Sequence, residues 1–322
     1  MLDFLKIKIT NAQTRSYFWE HSLLYFHSES EVLLFDNETI KTKKVKQYRG
    51  LLFEFTKNAL FIRFKPHYYF NSNEHNANDF SVANCIETLK NVFNSFCVDL
   101  EHLEIINIEF GINIVIPIQL IDIRDLLCQI IYHGQNQFAT HSKYRHCRYS
   151  NSVNKSGMTN VYKIIKAYAK CIQFPNYTST NTFRFEAKSN RKKYINSLGI
   201  FTIQDLFNTP VYDKLSEVIL KEFDEVLIID EHAKPKLSET KFRNFEKKLN
   251  PLTWNRLLMK SKNTFRRNIN SYYNALNTCD THLKKEIKKL MIDKLNHLKK
   301  CAVLSIYIDE ISTQINSSNL KA

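Results

Sequence analysis

The chain has 322 residues, 43% of them hydrophobic, and a formal net charge of +14, which is enough apolar material for at least one sizeable core. The charge points to a polyanionic partner, nucleic acid before an anionic membrane surface. Five glycines and six prolines leave no phosphate-binding glycine loop of the ATPase or nicotinamide type. Seven scattered cysteines without a CxxC pair fit a reducing cytoplasm rather than a disulfide framework or zinc ribbon. Charges interrupt the N-terminal apolar run, and no stretch reaches about 18 uninterrupted apolar residues, so neither a signal peptide nor a membrane span is expected.

In chain order, the pattern predicts a strand over Phe4–Ile9 and a short helix near Arg15–Leu23. Leu51–Phe55 and Ala59–Phe64, divided by Thr56, Lys57 and Asn58, predict a hairpin. A polar loop, Tyr68–Phe80, leads to a helix capped by Asp79 or Ser81, with Val82, Ile86, Leu89, Val92, Phe93 and Phe96 at helical spacing. The strongest strand is Leu103–Pro117, followed by a helix over Gln119–Tyr132. Val161–Tyr168 and Thr182–Lys188 predict an antiparallel pair across a loop holding Pro175 and Asn176. Helices over Asn190–Ser197, Ile203–Leu206 and Tyr212–Glu225, then a strand in EVLIID, complete a domain over residues 1–230. Residues 231–250 read as a charged linker, and 251–322 as a basic helical region with two long helices between Pro251 and Lys300. The fold class expected is α+β: an antiparallel sheet with helices on one face, plus a C-terminal helical appendage.

One set of residues carries chemistry. On the central strand Glu109, Gly111 and Asn113 share a face, and a glycine there allows close backbone approach. On the later pair Lys166, Tyr168 and Lys170 share one alternation, and Arg184, Glu186 and Lys188 alternate on the other strand. Two carboxylates and an amide oxygen, from Glu109, Glu186 and Asn113, can hold Mg²⁺ or Mn²⁺. Tyr168 would then attack a phosphodiester, a lysine (Lys166 or Lys170) would stabilise the charge, and a 5′-phosphotyrosyl enzyme and free 3′-OH would result. Tyr162 competes as nucleophile. Plainer readings stand beside these: strands favour aromatics, and Glu186 can pair with Arg184 or Lys188 at a surface. His-x-His does not occur. In HSKYRHCRYS, Lys143, Arg145, His146 and Arg148 suit contacts with phosphates and bases. Arg184 and, on the basic C-terminal helix, Lys284, Lys285 and Lys288 are further candidates for DNA contact.

The runs IINIEFGINI, YKIIKAYAK with FRFEAK, and YYFNSNEHNANDF before a helix resemble the replication initiators of rolling-circle plasmids and small circular-DNA phages, particularly a group met in Bacteroidetes genomes and phages. The resemblance extends over residues 1 to about 300. It implies a sheet with helices on one side, related to the RNA-recognition-motif or Rep endonuclease core, in which acids hold a metal and a tyrosine nicks the origin. Carried over, Glu109 matches the first acid of an acid-x-x-x-acid strand and Glu186 the glutamate of an arginine-x-glutamate strand. Tyr168 and Lys170 match a tyrosine-aspartate-lysine strand. Asn113 and Ala169 depart from the pattern, each standing where an acid is common. The resemblance further implies origin DNA as partner, single-stranded or cruciform, a host helicase and a homodimer. The rival readings are a catalytically inert nucleic-acid-binding protein of the same ancestry and a relaxase or transposase using the same tyrosine chemistry.

Overall fold

The computed structural model describes residues 1–33, 40–150 and 162–318. In chain order it gives β1 (Leu2–Ile9), α1 (Ala12–Glu20), β2 (Tyr25–Leu33), β3 (Ile40–Tyr48), β4 (Leu51–Phe55), β5 (Leu60–Phe64), α2 (Pro66–Phe70), α3 (Val82–Asn94), β6 (Glu104–Val115) and α4 (Ile123–Gln129). Then follow β7 (Ile130–His133), β8 (Asn136–Thr140), β9 (Cys147–Ser150), β10 (Ile164–Ala169), α5 (Lys170–Gln173), β11 (Thr182–Ser189), α6 (Lys192–Ser197), α7 (Thr209–Asp224) and β12 (Val226–Ile228). The chain ends in α8 (Glu239–Glu246), α9 (Pro251–Lys260), α10 (Lys262–Leu276) and α11 (Leu283–Ser318).

The chain is an α+β protein. Its strands form one sheet in the order β12-β7-β8-β9-β10-β11-β6-β1-β5-β4-β3-β2, and the pairings are antiparallel throughout. Two meanders, β2 to β5 and β7 to β11, return their last strands to flank the central pair β1 and β6. Alternation decides the faces. Leu5, Ile7 and Ile9 of β1, Ile108, Phe110 and Ile112 of β6, and Phe183, Phe185 and Ala187 of β11 all enter the core. Against them pack Val82, Leu89 and Val92 of α3, Leu215, Ile219 and Phe223 of α7, and Ile287, Met291 and Leu295 of α11. The polar positions of the same strands face away from these helices. No helix among the described residues is long and apolar enough to cross a membrane.

Several elements differ from the sequence expectation. Tyr68, Tyr69 and Phe70 belong to α2 rather than to a loop, since Pro66 at the first position favours a helical start. Helix α3 is capped by Ser81, whose Oγ accepts from Asn84 N at 3.1 Å. The helix expected over Gln119–Tyr132 stops at Gln129, and Ile130–His133 become β7. Short β-branched runs fit either period, and here pairing with β12 and β8 settles the choice. The region 251–300 contains three helices, α9, α10 and the start of α11. Within 231–250, residues Glu239–Glu246 are helical, and Phe245 joins a second apolar cluster with Trp254, Phe265 and Tyr272. Val161, the start of the expected nucleophile strand, lies outside the described residues, and β10 ends at Ala169, so Lys170 opens α5 instead of continuing the strand alternation.

Candidate active site

Strands β10, β11, β6 and β1 lie side by side, and their register sets the site. Lys166 is opposite Glu186 and Tyr168 opposite Arg184 across β10 and β11. Glu186 is opposite Gly111, Lys188 opposite Glu109 and Arg184 opposite Asn113 across β11 and β6. Phe4 of β1 is opposite Glu109. A Cβ on Gly111 would stand 2.4 Å from Phe185 O and 2.6 Å from Glu186 Cβ, so only glycine permits this spacing of β6 and β11.

The charged groups form a continuous network. Lys166 Nζ donates to Glu109 Oε1 at 2.5 Å and to Glu186 Oε1 at 2.7 Å. Tyr168 OH donates to the other oxygen of Glu186 at 3.0 Å, and Arg184 Nε donates to that same oxygen at 3.0 Å. Arg184 also pairs with Asp3 and donates from Nη1 to Asn113 Oδ1 at 2.8 Å. Lys188 lies 3.2 Å from Glu109. Lys170 Nζ donates to Asn76 Oδ1 at 2.6 Å and Gln173 Oε1 at 2.9 Å, and sits 5.4 Å from the Tyr168 ring centroid.

Protonation follows from burial and these partners. Burial alone would push the Glu186 carboxyl up, but Lys166 and Arg184 outweigh it and hold the group well below the ordinary range. Burial and the neighbouring Glu186 charge push Glu109 the other way. For Lys166, the two carboxylates overcome the effect of burial and raise its pKa. Burial lowers Lys170 to about 8, against the pull of Glu186 and Glu109. The Tyr168 phenol is raised by burial and by the same two acids. At neutral pH Tyr168 is therefore a neutral hydrogen-bond donor to an ionised Glu186.

This network is the floor of a pocket of about 690 Å³. The segment between β8 and β9, with exposed Lys143, Tyr144 and Arg145 and half-buried His146, lines it together with Lys65 and Tyr68. A second groove of about 580 Å³ adjoins it, sharing Phe4, Lys65, Tyr68 and Lys188 and continuing past Lys6 and Arg63. The cations lie over rings: Lys6 over Phe61 at 4.6 Å, Lys65 over Tyr68 at 5.1 Å and Lys188 over Phe4 at 5.6 Å. Basic groups interleaved with aromatic faces are what a single strand of nucleic acid needs from a groove.

Of the residues expected at the site, Glu109, Lys166, Tyr168, Lys170 and Glu186 are brought together, and Lys143, Arg145 and His146 border them. Others are not where the sequence put them. Arg184 is only 2% exposed and is spent on Asp3, Glu186 and Asn113, so it cannot contact DNA. Asn113 is no metal ligand, because its oxygen accepts from Arg184 and its nitrogen donates to Ala77 O at 2.8 Å. Tyr162 lies before β10, against Tyr194 and outside the pocket lining. Arg148 turns inward, donating to Leu127 O and Thr140 Oγ1. On α11, Lys284 is buried and bonds to Asp224 O and Val226 O, and Lys288 pairs with Asp224. Lys285 is exposed, on a helix that packs against the far side of the sheet from the pocket. Asp3 and Asn76 were missed. A break in register between Leu2 and Phe4 places Asp3 outside the simple alternation of β1, so the one available signal was a lone acid in an apolar strand.

The residues present do not fit a divalent cation while Lys166 is in place. Its ammonium stands between the two carboxylates that would hold the metal, and Asp3 is taken by Arg184. No group of three or more His, Cys, Asp and Glu among the described residues is arranged to hold a metal.

No family model and no curated protein matches the chain. Among solved structures, a rolling circle replication initiator protein from Geobacillus stearothermophilus is similar at 9% identity and a TM-score of 0.41, over 78% of this chain and 96% of that one. At that identity and TM-score the likeness does not bear on chemistry.

Proposed function

We propose that the protein nicks and rejoins DNA through Tyr168 to initiate rolling-circle replication of a plasmid or phage. The observation that carries the reading is the Tyr168 hydroxyl bonded to ionised Glu186 at the floor of an open, basic pocket. A scissile phosphate held by Lys143, Arg145 and the pocket lysines would present phosphorus to the phenol oxygen. As the P–O(Tyr) bond forms, the phenol proton passes to Glu186. Lys166 and Lys170 offset the charge on the phosphoryl oxygens. The P–O3′ bond breaks and Lys170 protonates the departing 3′-oxygen, leaving a 5′-phosphotyrosyl enzyme and a free 3′-OH. The reverse reaction rejoins the strand. The adjoining groove would hold the flanking single strand, and a host helicase would extend the opening. A divalent cation enters this scheme only by displacing Lys166.

A second reading is a DNA-binding protein without catalysis, favoured by the elevated pKa of Tyr168 and by the loss of Asn113 to Arg184. Incubation with labelled single-stranded DNA from the parent replicon, followed by denaturing electrophoresis, separates the two. A protein-linked fragment that persists in Tyr162→Phe and vanishes in Tyr168→Phe is the expected result. Salt-sensitive binding with no adduct on either strand would support the second reading.

A further inference from the structure

Helices α8, α9 and α10 carry charge out of proportion to their size. Residues 239–277 hold nine lysines and arginines against two glutamates, and no acid occurs between Glu246 and Asp280. A solvated helical surface ordinarily mixes both signs. The inside of this unit is aromatic: Trp254 and Phe265 have ring centroids 5.9 Å apart, and Phe245 stacks on Tyr272 at 5.4 Å. Trp254 Nε1 donates to Lys248 O at 2.8 Å. A single extended residue, Ser261, joins α9 to α10 and caps α10 by accepting from Thr264 N at 3.0 Å. The start of α10 is thereby fixed against α9.

Burial of Phe265, Tyr272 and Leu276 turns the opposite face of α10 outward. That face presents Asn263, Arg266, Arg267, Asn270 and Asn274, all exposed and spaced as one helical stripe. None of the five makes a side-chain hydrogen bond or ion pair with another described residue. Arginine and asparagine are the side chains whose paired polar atoms match guanine and adenine edges in the major groove, which is wide enough for a helix. From Asn263 to Asn270 the helix rises about 10 Å, close to three base-pair steps of duplex. Lys260 and Lys262 flank the entering end.

We propose that α10 reads double-stranded DNA in the major groove, selecting sequence with Arg266, Arg267 and Asn270 while Lys260 and Lys262 hold phosphates. This surface contains no residue of the nicking site, and the proposal stands apart from that chemistry.

The test uses the full-length protein and a library of random-sequence DNA duplexes, with the bound fraction isolated and sequenced. Wild type, the Arg266→Ala/Asn270→Ala double variant and a charge control, Lys214→Ala/Lys221→Ala on α7, are compared. The expected result is a short enriched motif for wild type and the control, and its loss in the double variant. Affinity for the selected duplex should fall roughly 5- to 150-fold for each base contact removed. Adduct formation by the double variant on single-stranded DNA should stay at the wild-type level, which also shows that it folds. Absence of a motif for wild type overturns the proposal. So does an unchanged motif in the double variant, including a uniform loss of affinity with the motif intact, which would make α10 a phosphate grip only.

Discussion

Gly111→Ala is the sharpest perturbation of the site that leaves every charged residue in place. The new Cβ would meet Phe185 O at 2.4 Å, Glu186 Cβ at 2.6 Å and Glu186 Cα at 2.8 Å, about 1 Å inside ordinary van der Waals contact. Two of these three atoms are backbone, so no rotamer change relieves the clash and β11 must move away from β6. Overpacking of this kind costs about 1–3 kcal/mol, partly offset by about 0.4–1 kcal/mol from the stiffer unfolded chain, for a net loss of up to about 2.5 kcal/mol. The larger consequence is for activity. Glu186 is the moving residue, and a displacement of about 1 Å at a reacting group costs on the order of 10²-fold in rate. Urea denaturation gives the first number and the initial rate of protein–DNA adduct formation the second. Gly199→Ala is the control: its φ of +82° strains any side chain, yet nothing lies within 4 Å of a Cβ there. It should cost about 1–2 kcal/mol with little change in rate. If Gly111→Ala keeps the wild-type rate as Gly199→Ala does, the close approach of β6 and β11 does not position Glu186.

Arg184→Ala should destabilise the protein by about 3–5 kcal/mol, because Asp3 remains buried without its cation while Glu186 keeps only Lys166; a loss below about 1 kcal/mol in urea melts would contradict the burial of the Arg184 pairs. Lys166→Ala opens the space between Glu109 and Glu186, and Mn²⁺ affinity measured by paramagnetic resonance should rise on the order of tenfold, whereas an unchanged affinity would show that the lysine does not compete for the cation position. With Lys170 protonated below about pH 8, adduct formation should fall as pH rises through 8, and Lys170→Arg should remove that fall while retaining the charge. Thermal stability should move oppositely: the unfolded chain keeps its Lys170 proton up to the ordinary pKa of 10.5, so the cost of burying the charge is relieved between pH 8 and 10.5. A Tm that drops across that window through Lys170 would be incompatible with the assigned shift.

The site was more legible in the sequence than the covering around it. Strict alternation in TFRFEAKS fixes the face of Glu186, and Gly111 between Glu109 and Asn113 marks the close approach; both depend only on period and residue size. Alternation does not say what lies over a face. Arg184 shares the surface of Glu186, yet the segment holding Asn76 and Ala77 closes over its end of the sheet and makes it structural. Lys284 misleads for the same reason, since the amphipathic pattern of α11 does not show that the end of α7 and the start of β12 accept its protons. The edge strand β2 and its neighbour β3 were missed because HSES and KTKK carry little apolar alternation. Their pairing rests instead on continuation of the meander from β4.

Asp3 and Arg184 meet across 181 positions of sequence, with β1 between β5 and β6 and β11 on the other side of β6. Pairings over such distances form slowly, because the chain loses loop entropy before any contact rewards it. During synthesis, Asp3 waits until β11 has been made, on the order of 10–40 s at ordinary elongation rates. A truncated product ending after Tyr168 but before Arg184 therefore holds Tyr168 and Lys166 but lacks Arg184 and Glu186, and the network cannot assemble in it. Under the proposed function such fragments would not nick DNA, because Tyr168 would lack its acceptor Glu186.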